Sequence, residues 1–388
     1  MSTPSATPEV KRGLAGVVAD TTAVSVIDEG SGQLLYRGYP VPSLAESFSF
    51  EEVAYLIWHG ELPDDNELAA FSAAERQARA LPPELVASLS GLPPTCQPMD
   101  VVRSAVSYIG ALACQDGSNG SRARADSGLA ASLELLAKLP TVVAATERAR
   151  RGLAPVPPDP GLGYAVNFFH MCNGDVPSAE VLDTFETSLV LYAEHGFNAS
   201  TFTARVIAST GSDLYSAVTG AVGALKGPLH GGANEAVMRQ FFSQVHDPGE
   251  VGPWLARTLA AGEKVMGFGH RVYKHGDSRV PTMQAALAHL AEGSEEGRRM
   301  MAVYERLEEA MRETKGLYPN LDYATGPAYY LMGFEIETFT PIFVMSRITG
   351  WTAHVMEQEA NNALIRPLSA YVGPPRRQLP KAGSRKAV

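Results

Sequence analysis

Cysteine is scarce in this sequence, and the few that occur are too scattered to form a framework. The 388-residue chain has three cysteines, Cys96, Cys114 and Cys172, which are far apart and odd in number. Small secreted proteins are stapled by paired cysteines, whereas free cysteines are usual in a reducing cytoplasm. The cysteine usage therefore excludes a disulfide scaffold and predicts a cytoplasmic location.

Long apolar runs and clusters of positive charge are also lacking. No uninterrupted apolar stretch reaches the ~18 residues of a membrane-spanning helix, so no membrane segment is expected. The N-terminus, MSTPSATPEVKRG, lacks the hydrophobic region of a signal peptide and is expected to be disordered. The net charge of −10, with no polybasic tract, argues against nucleic acid as a partner. An anionic substrate would need a local cluster of arginines.

Several common catalytic signatures are missing as well. The sequence contains no GxSxG elbow, no GxxxxGK[ST] phosphate loop, no GxGxxG fingerprint and no HExxH metal motif. No spacing of histidines and carboxylates suggests a metal site, so no metal cofactor is expected. Gly276-Asp277-Ser278 leaves a serine hydrolase as a competing interpretation, but the nucleophile elbow and its sheet are absent.

What the sequence does contain is a succession of helical patterns. The length, with 45% hydrophobic and 19% charged residues, is typical of a globular protein of two domains. Alternation from Thr21 to Tyr36, around the turn residues 28–32, predicts one β-hairpin. No β-α-β alternation and no repeat of fixed period follows. A nearly all-α architecture is therefore predicted.

Local start and stop signals set the bounds of the predicted helices. Ser49 with Glu52 and Asp64 with Glu67 are capping boxes, and Gly60 follows the first of these helices. Residues 115–124 are expected to form a surface loop, and the proline-rich 155–160 a connector. The expected helices span about 50–59, 65–80, 83–90, 98–113, 127–151, 178–194, 199–209, 213–225, 233–245, 253–262, 281–291, 295–315 and 341–359.

The stretch from Lys264 to Arg279, KVMGFGHRVYKHGDSR, combines glycines, histidines and positive charge. Gly267 and Gly269 allow the backbone to approach a ligand closely, and His270 follows directly. Donors suited to carboxylates and phosphates are supplied by Arg271, Lys274 and Arg279. The stretch is either a solvated basic turn between helices or an anion site around a titratable imidazole, and its glycines favour the second interpretation.

Two further histidines and one aspartate lie near predicted helix ends. His195, in EHGFNAS, follows a helix whose dipole favours the cation, and is either a C-cap or a ligand. His230, in LKGPLHGGANE, precedes a helix, where a neutral imidazole is expected. It either bonds the loop backbone or donates to an enolate-like oxygen. Asp322, in PNLDY, either caps a helix from residue 324 or is a base in a partly dry site.

Two arginines near the C-terminus complete the candidate residues. Arg347 lies on an apolar helix, where an unpaired guanidinium would be costly. Arg366 precedes Pro367 and is expected in extended backbone. Since nineteen residues separate the two arginines, they do not share a helix face.

Together these motifs resemble the citrate synthase family, and within it the 2-methylcitrate synthases. The resemblance extends from about Gly13 to Leu379. Its most specific parts are EHGFNAST, LKGPLHGGANEAVM, VMGFGHRVYKHGDSR, PNLDYATGPAYY and FVMSRITGWTAHVMEQEANNALIRPLSAY. It implies an all-α, two-domain fold, with a large domain formed by residues 1–226 and 325–388 and a small catalytic domain formed by residues 227–324.

The resemblance also implies roles for individual residues. Asp322 would be the base, His230 the stabiliser of the enol, and His270 the group that polarises the oxaloacetate carbonyl. Together with His270, the oxaloacetate ligands would be His195, Arg279, Arg347 and Arg366. The acyl-CoA strip would comprise Lys264, Val265, Met266, Gly267 and Phe268, with Lys274 near the phosphates. Tyr323 and Ser278 depart from the usual family residues, Phe and Pro, and Tyr323 is expected to adjust the acyl pocket.

The implied activity is condensation of propionyl-CoA with oxaloacetate and water, giving 2-methylcitrate and CoA. Acetyl-CoA would be a second donor, and no metal or redox cofactor is implied. The pathway would be the 2-methylcitrate cycle of propionate catabolism. The alternatives are a citrate synthase of the tricarboxylic acid cycle that prefers acetyl-CoA, and a non-enzymatic sensor, which the intact triad disfavours. A homodimer is implied, with Arg366 entering the partner's site and a cleft that closes on oxaloacetate to exclude water.

Overall fold

Within residues 10–93, 95–113, 123–273 and 276–378, which the computed structural model describes, the protein is helical apart from one small sheet. Its strands are β1 (Ser25–Ile27), β2 (Leu34–Tyr36) and β3 (Tyr39–Pro40), all antiparallel in the order β1-β2-β3. The Asp28 carboxylate accepts a hydrogen bond from the Ser31 N–H at 2.8 Å and so closes the turn between β1 and β2. The predicted hairpin is confirmed, and β3 is an additional short strand.

The helices occupy most of the remaining described chain. They are α1 (Val41–Ser47), α2 (Phe50–His59), α3 (Asp65–Ala78), α4 (Pro83–Ser90), α5 (Pro98–Ala113), α6 (Ala123–Arg150), α7 (Tyr164–Asn173), α8 (Ala179–Tyr192), α9 (Ala199–Ser209), α10 (Leu214–Leu225), α11 (Ala233–Val237), α12 (Pro248–Ala260), α13 (Val280–Glu292), α14 (Glu295–Lys315), α15 (Leu321–Leu331) and α16 (Phe339–Ala360). The all-α prediction is confirmed.

Helix starts follow the capping signals of the sequence. At α2, Ser49 and Glu52 form a reciprocal capping box, and Gly60 ends the helix with a φ of 94°. At α3, Asp64 and Glu67 form a second capping box. These side chains satisfy backbone N–H groups that have no partner inside the helix. The predicted bounds of α2, α4, α5, α9 and α14 are those observed.

Other boundaries differ where the local signal was weak. Helices α1 and α7 were not predicted, and neither has a side-chain cap: α1 follows Pro40 and α7 follows Gly163. Helix α12 begins at residue 248 rather than 253, because Asp247 and Glu250 form a capping box upstream. Residues Met238–Phe242 form one π turn after α11. The predicted loop at 115–124 lies largely outside the described residues, and α6 already begins at residue 123.

The expected N-terminal disorder is wrong for the part of the terminus that the structure describes. Residues Arg12–Leu14 form a 3₁₀ turn. The Arg271 guanidinium donates a hydrogen bond of 2.8 Å to the Gly13 carbonyl. Residues 1–9 lie outside the described chain. The segment after residue 10 is therefore held against the glycine-rich stretch that carries His270.

Helix α16 is the centre of the fold. It packs against α2, α6, α8, α9 and α10, and from Phe339 to Val355 every residue is buried. Helix α6 contains the segment Gly128–Arg150, which is long and apolar enough to cross a membrane, but 67% of its most apolar window is buried inside the protein. Packing against α3, α5, α7 and α16 therefore accounts for its apolar surface.

A second group of helices lies beside this core. Helix α13 contacts α14 and α15, α12 packs on α14, and α11 packs on α15. Helix α8 joins the two groups, because it contacts both α13 and α16. The division into domains at residues 227 and 324 stays a prediction.

Candidate active site

An open cleft of about 1570 Å³ is lined by most of the residues that the sequence analysis selected. They come from loops, helix ends and the middle of α16, far apart in the chain: His195, His230, His270, Arg279, Asp322, Arg347 and the strip from Lys264 to Phe268. The described N-terminal residues 13–17 line the same cleft. The fold therefore brings three histidines, one aspartate and three arginines, the third being Arg271, to a single cavity.

The wall that carries His270 and Asp322 is made by two paired backbone segments. Phe268 and Pro319 form an antiparallel bridge, and the neighbouring residues exchange two backbone hydrogen bonds of 2.8 Å. Gly267 has a φ of +87°, and a Cβ there would lie 2.7 Å from Val237. Both conditions require glycine, so this residue allows the close approach of the two segments.

The His230 imidazole has one nitrogen tied to the protein and one free for a substrate. The N–H of Ser200 points at Nε2 at 3.3 Å, and the Ser200 hydroxyl lies 2.8 Å from it. Because a backbone N–H can only donate, Nε2 accepts and Nδ1 carries the proton. Burial, reinforced by the positive charge of Arg347, lowers the pKa of His230 to about 4. The predicted neutral imidazole is confirmed, with burial as the main cause.

His270 is oriented in a similar way by its own loop. Its Nδ1 accepts from the N–H groups of Val272 at 3.1 Å and Tyr273 at 3.4 Å. The proton of the neutral ring therefore lies on Nε2. Burial and the nearby Arg279 lower the pKa of His270 to about 4. This histidine can donate a hydrogen bond without carrying a charge.

His195 differs from the sequence expectation. Helix α8 ends at Tyr192, so His195 lies three residues beyond the helix and outside its last turn. Burial, with the charge of Arg279, lowers the pKa of His195 well below its usual value. The expected cationic form is therefore wrong, because burial outweighs the helix dipole. The ring centroid lies 5.0 Å from that of His270, so the two neutral imidazoles are neighbours.

Asp322 is half-buried in the first turn of α15 and does not cap it. The helix begins at Leu321, and the Tyr192 hydroxyl donates to Asp322 Oδ1 at 2.6 Å. Burial raises the pKa of Asp322 to about 6, although the Tyr192 hydrogen bond and Arg279 lower it. Tyr192 was not selected from the sequence, where its hydroxyl is the only sign of a role at the site. The carboxylate is thus a base poised near neutral pH.

Arg279 is committed largely to a neighbouring carboxylate. Its Nη2 lies 2.7 Å from Asp277 Oδ2, its Nε donates to Oδ1 at 3.0 Å, and both side chains are buried. Burial would raise the pKa of Asp277, but the charge and hydrogen bonds of Arg279 lower it to about 2. Sequence analysis did not assign Asp277, although its position two residues before Arg279 was visible. Asp277 fixes the arginine at the cleft wall.

Arg347 is buried with no carboxylate partner among the described side chains. Its Nε donates to the Tyr192 carbonyl at 2.6 Å, and its guanidinium carbon lies 4.7 Å from the centre of the Phe343 ring. Burial lowers the pKa of Arg347 to about 10, against the opposing charge of Glu194. A desolvated, unpaired guanidinium facing a cleft is a strong binding group for a carboxylate.

The remaining predicted residues are not all in this cavity. Arg366 is exposed on the segment after α16, which has no regular structure, and does not line the cleft. Lys274 lies outside the described residues. The strip from Lys264 to Phe268 lines the cleft, and Met266 N–H donates to the Gln240 side chain at 2.9 Å. Among the described residues, no three His, Cys, Asp or Glu side chains are grouped as a metal site requires.

The arrangement suits proton abstraction next to a carbonyl. Asp322 can accept a proton, His230 Nδ1–H can donate to an oxygen that gains charge, and Arg347 can bind an anion. Asp322 and His230 are complementary because a half-buried carboxylate near its pKa and a neutral imidazole need no reorganisation of charge before the reaction.

The pH dependence of any such reaction should report Asp322. His230 and His270, with pKa values of about 4, stay neutral above pH 5, so activity should fall only as pH drops through about 6 and Asp322 is protonated. Tyr192→Phe removes a donor that lowers the pKa of Asp322, so the acid limb of kcat should move to higher pH. Tyr164→Phe is the matched control, because that buried hydroxyl bonds the Met345 carbonyl at 3.1 Å, away from the base. An unmoved limb in Tyr192→Phe would contradict the assignment.

Comparison with known proteins gives matches over almost the whole chain. The family described as citrate synthase, C-terminal domain, matches residues 13–368. A 2-methylcitrate synthase of Mycobacterium tuberculosis is 57% identical over 374 residues, which is 96% of this chain and 93% of that protein. A protein named citrate synthase from Mycolicibacterium smegmatis is 56% identical over 97% of this chain and 99% of its own length.

A solved structure supports the same relationship. Citrate synthase from Thermoplasma acidophilum, in a ternary complex with carboxymethyl coenzyme A and oxaloacetate, matches with a TM-score of 0.89. The two are 32% identical, and the match covers 97% of this chain and 100% of that one.

Proposed function

Since the chain belongs to the citrate synthase family, we propose that it condenses propionyl-CoA with oxaloacetate and water to give 2-methylcitrate and CoA. The proposal rests on one observation: Asp322 and His230 line the same cleft as Arg347, which has no carboxylate partner among the described side chains. The relatives named 2-methylcitrate synthase, at 57% and 49% identity, support propionyl-CoA as the donor.

The proposed reaction begins with proton removal. Asp322 takes a proton from the α-carbon of the thioester, and the electron pair moves onto the thioester oxygen. His230 Nδ1–H donates to that oxygen and stabilises the enol or enolate. Since the α-proton of a thioester is only weakly acidic, base and donor must act together.

The nucleophilic carbon then attacks the keto carbon of oxaloacetate. The proton on His270 Nε2 can polarise the keto oxygen, while Arg347 and Arg279 bind carboxylates and His195 completes the pocket. Water finally hydrolyses the thioester of the condensed product and releases CoA. None of these steps requires a metal or redox cofactor.

We place the enzyme in the cytoplasm, in the 2-methylcitrate cycle of propionate catabolism, as a homodimer. The dimer is supported by the segment after α16, which leaves the body of the chain and exposes Leu364, Leu368, Tyr371 and Val372. Apolar side chains on an extended segment favour contact with a second copy. Arg366 lies between the first two of them, and we assign it to the partner's cleft.

Propionyl-CoA is expected to have the highest kcat/KM, with acetyl-CoA still reacting. One methylene in an apolar pocket changes kcat/KM by about 10–200-fold, so exclusion of acetyl-CoA is not expected. Thiol release should be measured with oxaloacetate and acetyl-, propionyl- or butyryl-CoA. A higher kcat/KM for acetyl-CoA would favour the second candidate, a citrate synthase, which the name of the Mycolicibacterium smegmatis relative supports.

A further inference from the structure

The residue before His195 is a buried glutamate, Glu194, and the reaction described above does not use its carboxylate. Glu194 is 0% exposed, and so is His354 in α16. His354 Nε2 lies 2.8 Å from Glu194 Oε1, so its N–H donates to the carboxylate in either protonation state. The Ser25 hydroxyl of β1 donates to the same oxygen at 2.9 Å. One carboxylate oxygen thus joins the sheet, the turn after α8 and the central helix.

The same oxygen also controls the backbone that follows. The N–H of Gly196 donates to Glu194 Oε1 and, at 3.0 Å, to the Ser25 hydroxyl. Gly196 has a φ of +56°, in the left-handed region. The residue between these two fixed points is His195. Its backbone direction is therefore determined by hydrogen bonds on both sides.

A second hydroxyl holds the backbone of Glu194 itself. The Tyr36 hydroxyl of β2 donates to the Glu194 carbonyl at 2.9 Å and accepts from the Glu194 N–H at 3.1 Å. Tyr36 is 0% exposed. The small sheet therefore supplies two side chains, Ser25 and Tyr36, to the turn that carries His195.

The central helix leaves the Glu194 side chain no room to move. Gly350 of α16 faces it, and a Cβ at that position would lie 2.1 Å from Glu194 Oε2. The Gly350 N–H donates to the Ala193 carbonyl at 3.2 Å. Helix α16 is thus in direct contact with both the side chain and the backbone of this turn.

His354 is anchored on its other side by an ion-pair network. Arg205 bonds Glu357 at 2.7 Å and Asp20 at 3.2 Å, and its Nη1 lies 3.2 Å from His354 Nδ1. Burial would raise the pKa of Glu194, but the charge and hydrogen bond of His354 lower it below its usual value. The group that orients the turn is therefore an ionised carboxylate on a rigid support. Its Oε1 accepts all of its hydrogen bonds, and its Oε2 has no hydrogen-bond partner among the described residues.

We propose that Glu194, held by His354 and Ser25, is the positioning residue that aims the His195 imidazole at oxaloacetate. The inference rests on the proposed function, in which His195 binds that substrate. The His195 ring touches protein through the His270 ring at 5.0 Å and the Tyr273 ring at 5.5 Å, and its Nε2 has no hydrogen-bond partner among the described residues. Since no hydrogen bond to Nε2 fixes the imidazole among the described residues, we infer that its aim depends on the backbone turn that Glu194 holds.

The main test compares Glu194→Ala with Glu194→Gln. Alanine removes the acceptor, and because a misplacement near 1 Å costs about 10²-fold, kcat/KM for oxaloacetate should fall by about that factor. Glutamine keeps an acceptor oxygen in the same place and should restore most of the loss. The KM for acyl-CoA at saturating oxaloacetate should not change in either variant. Equal KM values for oxaloacetate in Glu194→Ala and wild type would overturn the proposal.

A milder variant decides the question if Glu194→Ala does not fold. Ser25→Ala removes one donor to the carboxylate, and KM for oxaloacetate should rise about 2- to 10-fold, as the loss of one hydrogen bond allows. Ser132→Ala is the matched control: its buried hydroxyl bonds the Gly128 carbonyl at 2.6 Å in α6, so KM should be unchanged. A wild-type KM in a folded Ser25→Ala enzyme would refute the role.

Three measurements separate this inference from the proposed function: thiol release, calorimetry and the imidazole signals of His195. Oxaloacetate binding to wild type and His195→Ala is measured by calorimetry without any acyl-CoA. The ¹⁵N imidazole signals of His195, assigned by their loss in His195→Ala, are followed in Ser25→Ala and Ser132→Ala. Absence of thiol release in wild type would end the proposed function alone. His195 signals that stay unchanged in Ser25→Ala would end the positioning role alone.

Discussion

Asp322→Asn is expected to abolish condensation while leaving oxaloacetate binding intact. General-base catalysis contributes about 10²–10⁴-fold, and an amide cannot take the α-proton. Asparagine has nearly the shape of aspartate and still accepts the hydrogen bond from Tyr192, which lies 2.6 Å away in the wild type. Thiol release measures the condensation, and calorimetry measures oxaloacetate binding, which in the proposed reaction depends on Arg347 and Arg279.

His230 is expected to act together with Asp322. His230→Ala should stop exchange of the α-proton of the thioester with solvent, because base and enol stabiliser act together and their effects are not additive. Asp213→Asn is a matched control, since that aspartate caps α10 and does not line the cleft. Wild-type turnover in Asp322→Asn would remove this aspartate from the mechanism.

A mixed dimer of two inactive chains is expected to regain activity. Arg366 is exposed on its own chain and does not line its own cleft, although the proposed reaction needs it at a substrate carboxylate. If it enters the partner's cleft, Arg366→Ala paired with Asp322→Asn places both defects in one site and leaves the other whole. About half of the wild-type activity per dimer should return, because a twofold dimer has two equivalent sites.

The mixed dimer is prepared by co-expression with two different affinity tags and purified through both. Each parent homodimer should be inactive in the same thiol-release assay. Arg376→Ala is the matched control, because Arg376 is exposed on the same segment and has no assigned role, so that homodimer should stay active. If the mixed dimer is as inactive as its parents, Arg366 acts within its own chain or is only structural.

Helix positions were predictable where a side chain bonds the first turn. Ser49 and Asp64 each satisfy backbone N–H groups, and both helices begin where these residues predict. Helices α1 and α7 start directly after Pro40 and Gly163 without a side-chain cap, so no local pattern marks them. Their existence follows from packing: α1 on α8, and α7 on α6. Tertiary contacts of this kind cannot be read from neighbouring residues.

Residue types at the site and the neutral state of His230 were predictable, but the charge state of His195 was not. Position after a helix favoured a cationic His195, yet burial of the folded cleft makes it neutral. Asp322 could be a cap or a base on sequence alone, and the start of α15 at Leu321 and the contact with Tyr192, 130 residues away, separate the two. Arg279 was selected as a donor, but its ion pair with Asp277 depends on a loop conformation. Solvent exclusion thus decides the charge of His195, a long-range contact helps to identify the role of Asp322, and the loop conformation forms the ion pair of Arg279.

The central position of α16 has a consequence for synthesis on the ribosome. Chains emerge from the N-terminus at about 5–20 residues per second, and earlier segments begin to fold before later ones exist. The apolar surfaces of α2, α6, α8, α9 and α10 that α16 covers therefore stay open to water until residues 339–360 have left the exit tunnel. Arg347 and His354 arrive on that same helix. A nascent chain thus lacks part of its candidate active site and is exposed to aggregation until almost all of it has been translated.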